Sequence, residues 1–348
     1  MDKLEALASV SRLSENVVRV LGQNPGKFTL QGTNTYIIGQ RRPFTLVDTG
    51  EGREEYIPHL ESALKDARGP LDATNTDADV SDIVISHWHH DHVGGLPAVL
   101  ALLRRLWDER NVSATFRPPR LHKFPAPATL SPNPHNTLPA LLSALLPGSY
   151  TPSPDGSPFH DLHDGQVLSP SSPSSQLRVL HTPGHTVDSI ALHVPADDAL
   201  YTADTVLGQG TAVFEDLAAY IASLRRMLAF AEAEGARTLY PGHGPVVKDG
   251  GAVIATYIKH RLEREAQIVG VLRSPPPVAS AAAGDSDGGG HPWTTWTLVA
   301  TIYAAYPESL WLPAARGVML HLEKLEADGV VKRLGGEGTD TRWEFVGQ

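Results

Sequence analysis

The 348-residue chain contains no cysteine, which excludes disulfides and thiolate metal ligands and fits a reducing compartment. It also lacks a basic surplus, with 29 Lys and Arg against 39 Asp and Glu and a net charge of −10. Proteins that hold long nucleic acids usually carry excess positive charge. No apolar run reaches the roughly 20 residues that span a bilayer, and residues 1–5 do not resemble a signal peptide. These absences predict a cytoplasmic protein without a membrane partner, and they disfavour nucleic acid.

Four histidines and one aspartate lie within six residues, in the segment His87–His92. The segment follows the apolar run 83–85, which is typical of a buried strand, and α/β proteins place active sites where strands end. Imidazole and carboxylate groups are ligands that suit Zn²⁺ and similar cations. A single histidine here would usually be an ordinary hydrogen-bonded residue. Four histidines with an aspartate predict a metal site instead.

Three further candidate ligands each follow a predicted strand, namely His185, Asp204 and His243. Taken singly, each has an ordinary alternative, since a histidine after a Pro-Gly turn is often a surface residue and an aspartate often caps a helix. Catalytic zinc sites recruit ligands from distant strand ends, however. The common position of these residues therefore predicts that they complete one metal centre. Glycines beside His243 would let the backbone approach a crowded site.

The candidate ligands divide into two sets, which predicts two cations. The first set is His87, His89 and His185; the second is Asp91, His92 and His243; Asp204 lies between them. We expect two Zn²⁺ ions about 3.5–4 Å apart that share a hydroxide, which would act as the nucleophile. The carboxylates would also accept Mn²⁺ or Fe²⁺. His90 is not needed as a ligand.

These motifs resemble those of the metallo-β-lactamase-fold hydrolases, over about residues 15–270. The resemblance implies an α/β fold, an αββα sandwich with the metals at one edge of the paired sheets. It also implies that Asp48 orients ligands without binding metal, and we expect Asp91 and Asp48 to be the catalytic residues. Ala203, before the bridging Asp204, stands where the family commonly has glycine.

The segments 24–36, 210–217 and 259–265 resemble more closely the eukaryotic β-lactamase-like endoribonucleases and the fungal polyketide thioesterases. The first substrate implied is an acyl thioester or ester, either a small molecule or a polyketide on a carrier protein. The alternative is single-stranded RNA, which the net charge disfavours. An inactive scaffold is a third possibility, disfavoured by the complete ligand set. Candidate substrate-binding residues are Asn34, Lys259, His260 and Arg261. The basic residues among them could equally form a solvated helix face paired with glutamates.

The chain is predicted to have three parts. Residues 1–273 form the catalytic domain, with an irregular Pro-rich insertion at about 117–160. Residues 274–292 form a flexible linker. Residues 293–348 have the helices and β-hairpin of a winged-helix-like subdomain. A winged helix indicates either DNA binding or a packing role, and the few basic residues on the candidate recognition helix favour packing.

Overall fold

The computed structural model describes residues 4–67, 77–111, 113–127, 133–169, 176–276 and 292–347. The first sheet contains β1 (Val10–Arg12), β2 (Val17–Leu21), β3 (Asn34–Ile38), β4 (Phe44–Val47), β5 (Val80–Ile85), β6 (Arg120–Lys123) and β7 (Phe159–Asp161). The second contains β8 (Val167–Leu168), β9 (Leu177–His181), β10 (Ile190–Val194), β11 (Ala199–Ala203) and β12 (Thr238–Pro241). The helices of this region are α1 (Tyr56–Ala67), α2 (His90–Val93), α3 (Leu96–Arg110), α4 (Leu138–Ser143), α5 (Leu217–Glu234) and α6 (Gly250–Leu272).

The strand order of the two sheets brings the ligand loops together. In the first sheet the strands lie in chain order, antiparallel from β1 to β4 and parallel from β4 to β7. In the second sheet the order is β12-β11-β10-β9-β8, and β11 runs parallel to β12. Parallel neighbours end at the same edge of a sheet. The segment after β4 therefore lies beside the segment after β5. Likewise, the segment after β11 lies beside the segment after β12.

Alternating side chains build the layers of the sandwich. In β3, Tyr36 and Ile38 lie in the core between the two sheets, whereas Ile37 lies in the core under α1 and α3. This two-residue period is what a strand buried on both faces requires. A third core joins α5 and α6 to the second sheet, through residues such as Leu224 and Ile254. The layers are thus helix, sheet, sheet and helix, which confirms the predicted αββα sandwich.

The segment at about 117–160 is more regular than its composition predicts. Its two ends are the strands β6 and β7, which extend the first sheet in parallel with β5. Neither strand is predicted from the sequence, because both are short and mostly polar and because Pro118-Pro119 directly precedes β6. Between them, α4 packs Leu138 against the first core. The predicted irregular insertion is therefore confined to the residues between β6 and β7.

The C-terminal region forms a small subdomain of its own. It contains β13 (Trp293–Thr294), α7 (Thr295–Ile302), α8 (Trp311–Ala327), β14 (Val331–Gly335) and β15 (Arg342–Phe345), with strand order β13-β15-β14. Its core includes Ile268 and Leu272 from the end of α6, and Leu320 of α8 packs against the core of α5 and α6. The subdomain is therefore packed on the helices of the catalytic domain. Residues 277–291 of the predicted linker lie outside the described residues. Across the described ranges, no helix combines the length and hydrophobicity needed to cross a bilayer.

Candidate metal centre

Three histidine nitrogens converge at the edge of the two sheets. His87 and His89 follow β5, and His185 follows β9. His87 Nε2 lies 3.0 Å from His89 Nδ1, and His185 Nε2 lies 3.2 Å and 2.9 Å from these two atoms. Three nitrogens bound tetrahedrally to Zn²⁺ at about 2.0–2.1 Å would stand about 3.3–3.4 Å apart. The triangle is slightly compact, but it is the arrangement that a three-histidine zinc site requires.

The second ligand set lies beside the first and shares Asp204 with it. His92 Nε2 lies 3.2 Å from Asp91 Oδ2 and 3.4 Å from Asp204 Oδ1. His243 Nε2 lies 3.3 Å from Asp91 Oδ2 and 3.2 Å from Asp204 Oδ2. That same Asp204 oxygen is 3.6 Å from His185 Nε2, so the carboxylate faces both sets. His92 Nε2 and Asp204 Oδ1 are buried without a hydrogen-bond partner, which is costly unless a ligand meets them. The donor set therefore fits a pair of divalent cations.

Hydrogen bonds on the outer ring nitrogens orient these histidines. His87 Nδ1 lies 2.9 Å from Ser86 Oγ, His92 Nδ1 lies 2.7 Å from Asp48 Oδ2, and His185 Nδ1 lies 2.8 Å from the Val213 carbonyl oxygen. When the ring nitrogen that faces away from the ligand set donates a hydrogen bond, the nitrogen that faces the set has a free lone pair for a metal ion. Each ring is thus held with Nε2 turned toward the ligand set.

Asp48 is the hub of these outer contacts. Its carboxylate accepts hydrogen bonds from the Ser86 backbone N–H and hydroxyl, both at 2.8 Å, and it contacts His92 and the Tyr201 hydroxyl. It is fully buried and belongs to neither ligand set. Asp48 is therefore placed to orient His92, the role that the family resemblance implies.

The electrostatics of the two sets differ. Burial and the neighbouring imidazoles lower the pKa of His87 well below its usual range and that of His89 to about 4, so both rings are neutral and free to bind metal. Burial also opposes the charged form of His243, but Asp204 and Asp91 outweigh it and raise the pKa of His243 to about 9. Burial disfavours ionised Asp204 too, yet His243 and His92 hold its pKa well below the usual range. The ionised Asp91 and Asp204 therefore favour positive charge within the second set, carried either by a proton on His243 or by a bound cation.

Unusual backbone conformations allow the loops to approach this closely. Asp48 and Ala203 have φ of 59° and 45°, in the left-handed region that non-glycine residues rarely occupy. The positive φ of Ala203 explains why glycine is common at this position in the family. At Gly242, a Cβ would lie 2.3 Å from Asp204 Oδ1, so only glycine fits before His243. This confirms the close approach predicted from the glycines beside that histidine.

The remaining predicted site residues lie outside the ligand sets. His90 is exposed and its Nδ1 lies 3.0 Å from Thr137 Oγ1. Asn34 was expected to contact substrate, but its side chain is fully buried and donates to the carbonyl oxygens of Pro241 and Gly244, both at 2.9 Å. It therefore positions the His243 loop, and the substrate-contact prediction for Asn34 is wrong because that loop packs over it.

The three predicted residues of α6 differ from one another. Lys259 is exposed and lies 3.7 Å from Glu263, as expected of a solvated helix face. His260 and Arg261 line a cleft between α6 and the C-terminal subdomain. Arg261 also donates to the Ala212 carbonyl oxygen at 3.0 Å. Ala212 lines a pocket together with His185 and Asp204, here called the metal pocket, so this bond ties α6 to the pocket wall.

Several residues that support the site were not predicted from the sequence. Thr33 donates to Asp91 Oδ2 at 2.9 Å, and Ser86 and Tyr201 hold Asp48. Thr33 lies within the segment 24–36 that carries the closer resemblance, which was an available signal. Ser86 directly precedes the histidine motif. Nothing in the sequence marks Tyr201, whose contact arises only when the two sheets pack face to face.

The profile of the Metallo-beta-lactamase superfamily matches residues 28–243, a range that contains both ligand sets. The chain belongs to the metallo-β-lactamase superfamily. Members of this superfamily typically bind divalent metals, and membership supports a hydrolase. The profile of the Beta-lactamase associated winged helix domain matches residues 294–343, so the C-terminal subdomain is a winged helix.

Several known proteins align with nearly the whole chain. The chain is 32% identical over 329 residues to the Beta-lactamase-like protein 2 homolog of Drosophila melanogaster, covering 94% of this chain and 93% of that protein. It is 32% identical over 346 residues to the Atrochrysone carboxyl ACP thioesterase of Aspergillus chevalieri, covering 99% and 92%. The solved structure of a beta-lactamase domain protein from Burkholderia ambifaria aligns with TM-score 0.65 and 19% identity, covering 99% and 96%, and shows the shared fold.

Replacing Asp48 by asparagine is expected to weaken metal binding about 10–100-fold, because the ring of His92 loses its carboxylate partner. Asparagine keeps the shape of the side chain and tolerates the positive φ of this position. Zinc affinity, measured by competition with a chromogenic chelator, checks the expectation. Asp66→Asn, at an exposed position at the end of α1, is the matched control and should bind zinc as the unmodified protein does. Equal zinc affinities of the unmodified protein, Asp48→Asn and Asp66→Asn would show that Asp48 does not orient His92 for metal binding.

Proposed function

We propose that the chain is a dinuclear zinc hydrolase that cleaves acyl thioesters or esters, including acyl groups on a carrier protein. The observation that carries this proposal is a mostly apolar pocket of about 190 Å³ beside His185 and Asp204. Phe28 and Val213, 67% and 57% exposed, line this pocket. Large apolar side chains exposed next to a polar centre are what an acyl chain needs, because its burial supplies binding energy while the polar groups act on its carbonyl.

The comparisons agree with this substrate class. A relative that covers nearly the whole chain is named as a thioesterase for an ACP-linked carboxyl compound. The net charge of −10 also suits an acyl substrate better than a long polyanion. The proposal is therefore supported by the pocket, by the relative and by the charge, which are independent of one another.

The residues of the centre have distinct tasks in such a reaction. When bound, two divalent cations would lower the pKa of water and polarise the substrate carbonyl. The Asp91 side chain is 22% exposed, which is more than the 11% of Asp204. Asp91 is therefore placed to accept the proton that an attacking water loses. Thr33 holds one Asp91 oxygen through its hydroxyl. A thiolate leaves readily without a proton donor, so a thioester needs no further acid from the chain.

Single-stranded RNA is the alternative substrate. The observation in its favour is the pair Arg261 and Arg264 in the cleft on α6, next to the segment 211–214 that borders the metal pocket. An endoribonuclease would use such groups to hold phosphates. The same observation serves an acyl substrate that carries a phosphate, so it does not outweigh the apolar pocket.

The test is a panel of thioesters with acyl chains of increasing length, alongside a short labelled RNA, assayed with the zinc-loaded chain. We expect KM to fall as the acyl chain lengthens, because each methylene buried in the pocket contributes about 0.8 kcal/mol. Phe28→Ser should raise KM for the longest chain about tenfold and leave the acetyl thioester unaffected. Leu146→Ser removes another exposed apolar side chain, outside this pocket, and should change neither value. RNA cleavage without thioester turnover would reverse the proposal.

A further inference from the structure

A second cavity of about 490 Å³ lies between α6 and the winged helix, here called the interdomain cleft. It is lined by residues that include Thr211, Phe214, His260, Arg261, Arg264 and Tyr303. The segment 211–214 separates this cleft from the metal pocket. Ala212 and Val213 line the metal pocket, Phe214 lines the cleft, and Thr211 lines both. The two cavities are therefore neighbours across this short segment, and Thr211 borders both.

The interdomain cleft carries uncompensated positive charge. Arg261 and Arg264 both line it, and neither forms an ion pair with any carboxylate of the described residues. Glu263 also lines the cleft, but its carboxylate lies 3.7 Å from the Lys259 ammonium. The neighbouring Glu265 is paired with Lys324. The acidic groups nearby thus have partners of their own, and the two guanidinium charges remain for a ligand.

Both arginines are held in place by aromatic rings. The guanidinium of Arg261 lies 4.7 Å from the ring centre of Phe214, and that of Arg264 lies 4.8 Å from the ring centre of Tyr303. A guanidinium that stacks on a ring still presents N–H donors at its edge. Because its side chain is already ordered, it loses little conformational entropy when it binds an anion. Arg261 Nε is buried without a partner. Phosphate oxygens are acceptors that arginine binds in pairs, so the cleft has the chemistry of a phosphoryl-binding site.

We propose that the interdomain cleft binds the phosphate of the arm that joins the acyl thioester to its carrier. This inference rests on the proposed thioesterase function. A carrier-bound thioester has its acyl group at one end of a pantetheine arm and a phosphodiester at the other. An enzyme for this substrate needs an anion site next to its acyl pocket, and Thr211 lines both the cleft and the metal pocket. The cleft then selects carrier-linked thioesters over small esters.

The test compares two substrates with the same acyl group, a phosphopantetheine thioester and a pantetheine thioester without the phosphate. For the zinc-loaded full chain, KM should be about tenfold lower for the phosphorylated substrate, the effect of one charge-assisted hydrogen bond. Arg264→Met should remove this difference by raising KM for that substrate alone, with kcat unchanged. Arg225→Met removes an exposed arginine of α5 that does not line the cleft, and should leave both KM values unchanged.

A second variant tests the cleft without removing a charge. A Cβ at Gly317, on the α8 side of the cleft, meets no atom within 4 Å, so methionine there can project into the cavity. We expect Gly317→Met to raise KM for the phosphopantetheine thioester and to spare the pantetheine thioester. Gly270→Met, at an equally open glycine of α6 outside the cleft, is the matched control and should affect neither.

The outcomes separate the inference from the function on which it rests. Turnover of both thioesters with equal KM, unchanged in Arg264→Met, would overturn the cleft assignment and leave the thioesterase standing. Turnover of neither would refute the thioesterase itself. If Arg264→Met instead abolished cleavage of a short single-stranded RNA and left both thioester KM values unchanged, the cleft would belong to nucleic acid.

Discussion

His89→Ala is expected to abolish hydrolysis while leaving the fold intact. Its Nδ1 completes the triangle with His87 and His185, and removing one of three nitrogens leaves the first cation two imidazoles and a shared carboxylate. A metal ion that activates water and the carbonyl group lowers the activation free energy of hydrolysis by several kcal/mol. Its loss should therefore lower kcat at least about 10³-fold. Because the ring is only partly buried, its truncation creates little cavity in the core.

Three measurements on His89→Ala separate catalysis from folding. Elemental analysis should find less than two zinc ions per chain, circular dichroism should be unchanged, and turnover should be absent at saturating zinc. His90→Ala is the matched control, since His90 is the adjacent residue and is exposed, and among the described residues its side chain hydrogen-bonds only Thr137. It should retain full activity. Normal turnover by His89→Ala at saturating zinc would remove the central claim about the site.

The seven candidate ligands could be found from the sequence because each follows a strand that is apolar enough to recognise. Residues that follow strands running in the same direction lie at the same edge of a sheet. The positions of His185, Asp204 and His243 after their strands were therefore enough to predict that they lie near the motif after β5. The prediction failed for β6 and β7, which have four and three residues, contain one apolar residue each and directly follow a proline. Their strand structure comes from pairing with β5, which is a tertiary effect that local composition does not carry.

The contacts behind the ligands were not predictable, because they join residues far apart in sequence. Asn34 was assigned to substrate from its motif, yet its backbone N–H donates to the Gly242 carbonyl oxygen at 2.7 Å and its side chain is enclosed by the same loop. Tyr201 reaches Asp48 only across the interface between the two sheets. Sequence position identifies the candidate metal ligands, while sheet packing decides which residues hold them in place.

A buried ion pair joins the two sheets next to the first ligand set. Lys123, the last residue of β6, is 6% exposed, and its ammonium contacts the fully buried Asp188. The other oxygen of Asp188 accepts a hydrogen bond from Thr186 Oγ1 at 2.6 Å. Thr186 directly follows the candidate ligand His185. The pair therefore fastens the His185 loop of the second sheet to the first sheet, which carries His87 and His89.

Lys123→Met is expected to lower the free energy of unfolding by about 3–5 kcal/mol, because it leaves Asp188 as a buried carboxylate without its partner. Zinc affinity should fall as well, since the loop that carries His185 loses its attachment to the first sheet. Denaturant unfolding of the metal-free chain measures the first effect, and chelator competition measures the second. Lys65→Met, which removes a partly exposed lysine paired with Glu61, should cost less than about 1 kcal/mol.

The double variant Lys123→Met/Asp188→Asn distinguishes charge from packing. It removes both charges and leaves an amide oxygen that can still accept the hydrogen bond from Thr186. If the loss in Lys123→Met comes from the unpaired carboxylate, the double variant will be more stable than the single variant despite its extra substitution. Its zinc affinity should recover only in part, because the ion pair that ties the His185 loop to β6 is still missing. A double variant that is less stable than Lys123→Met would show that this pair acts through packing alone.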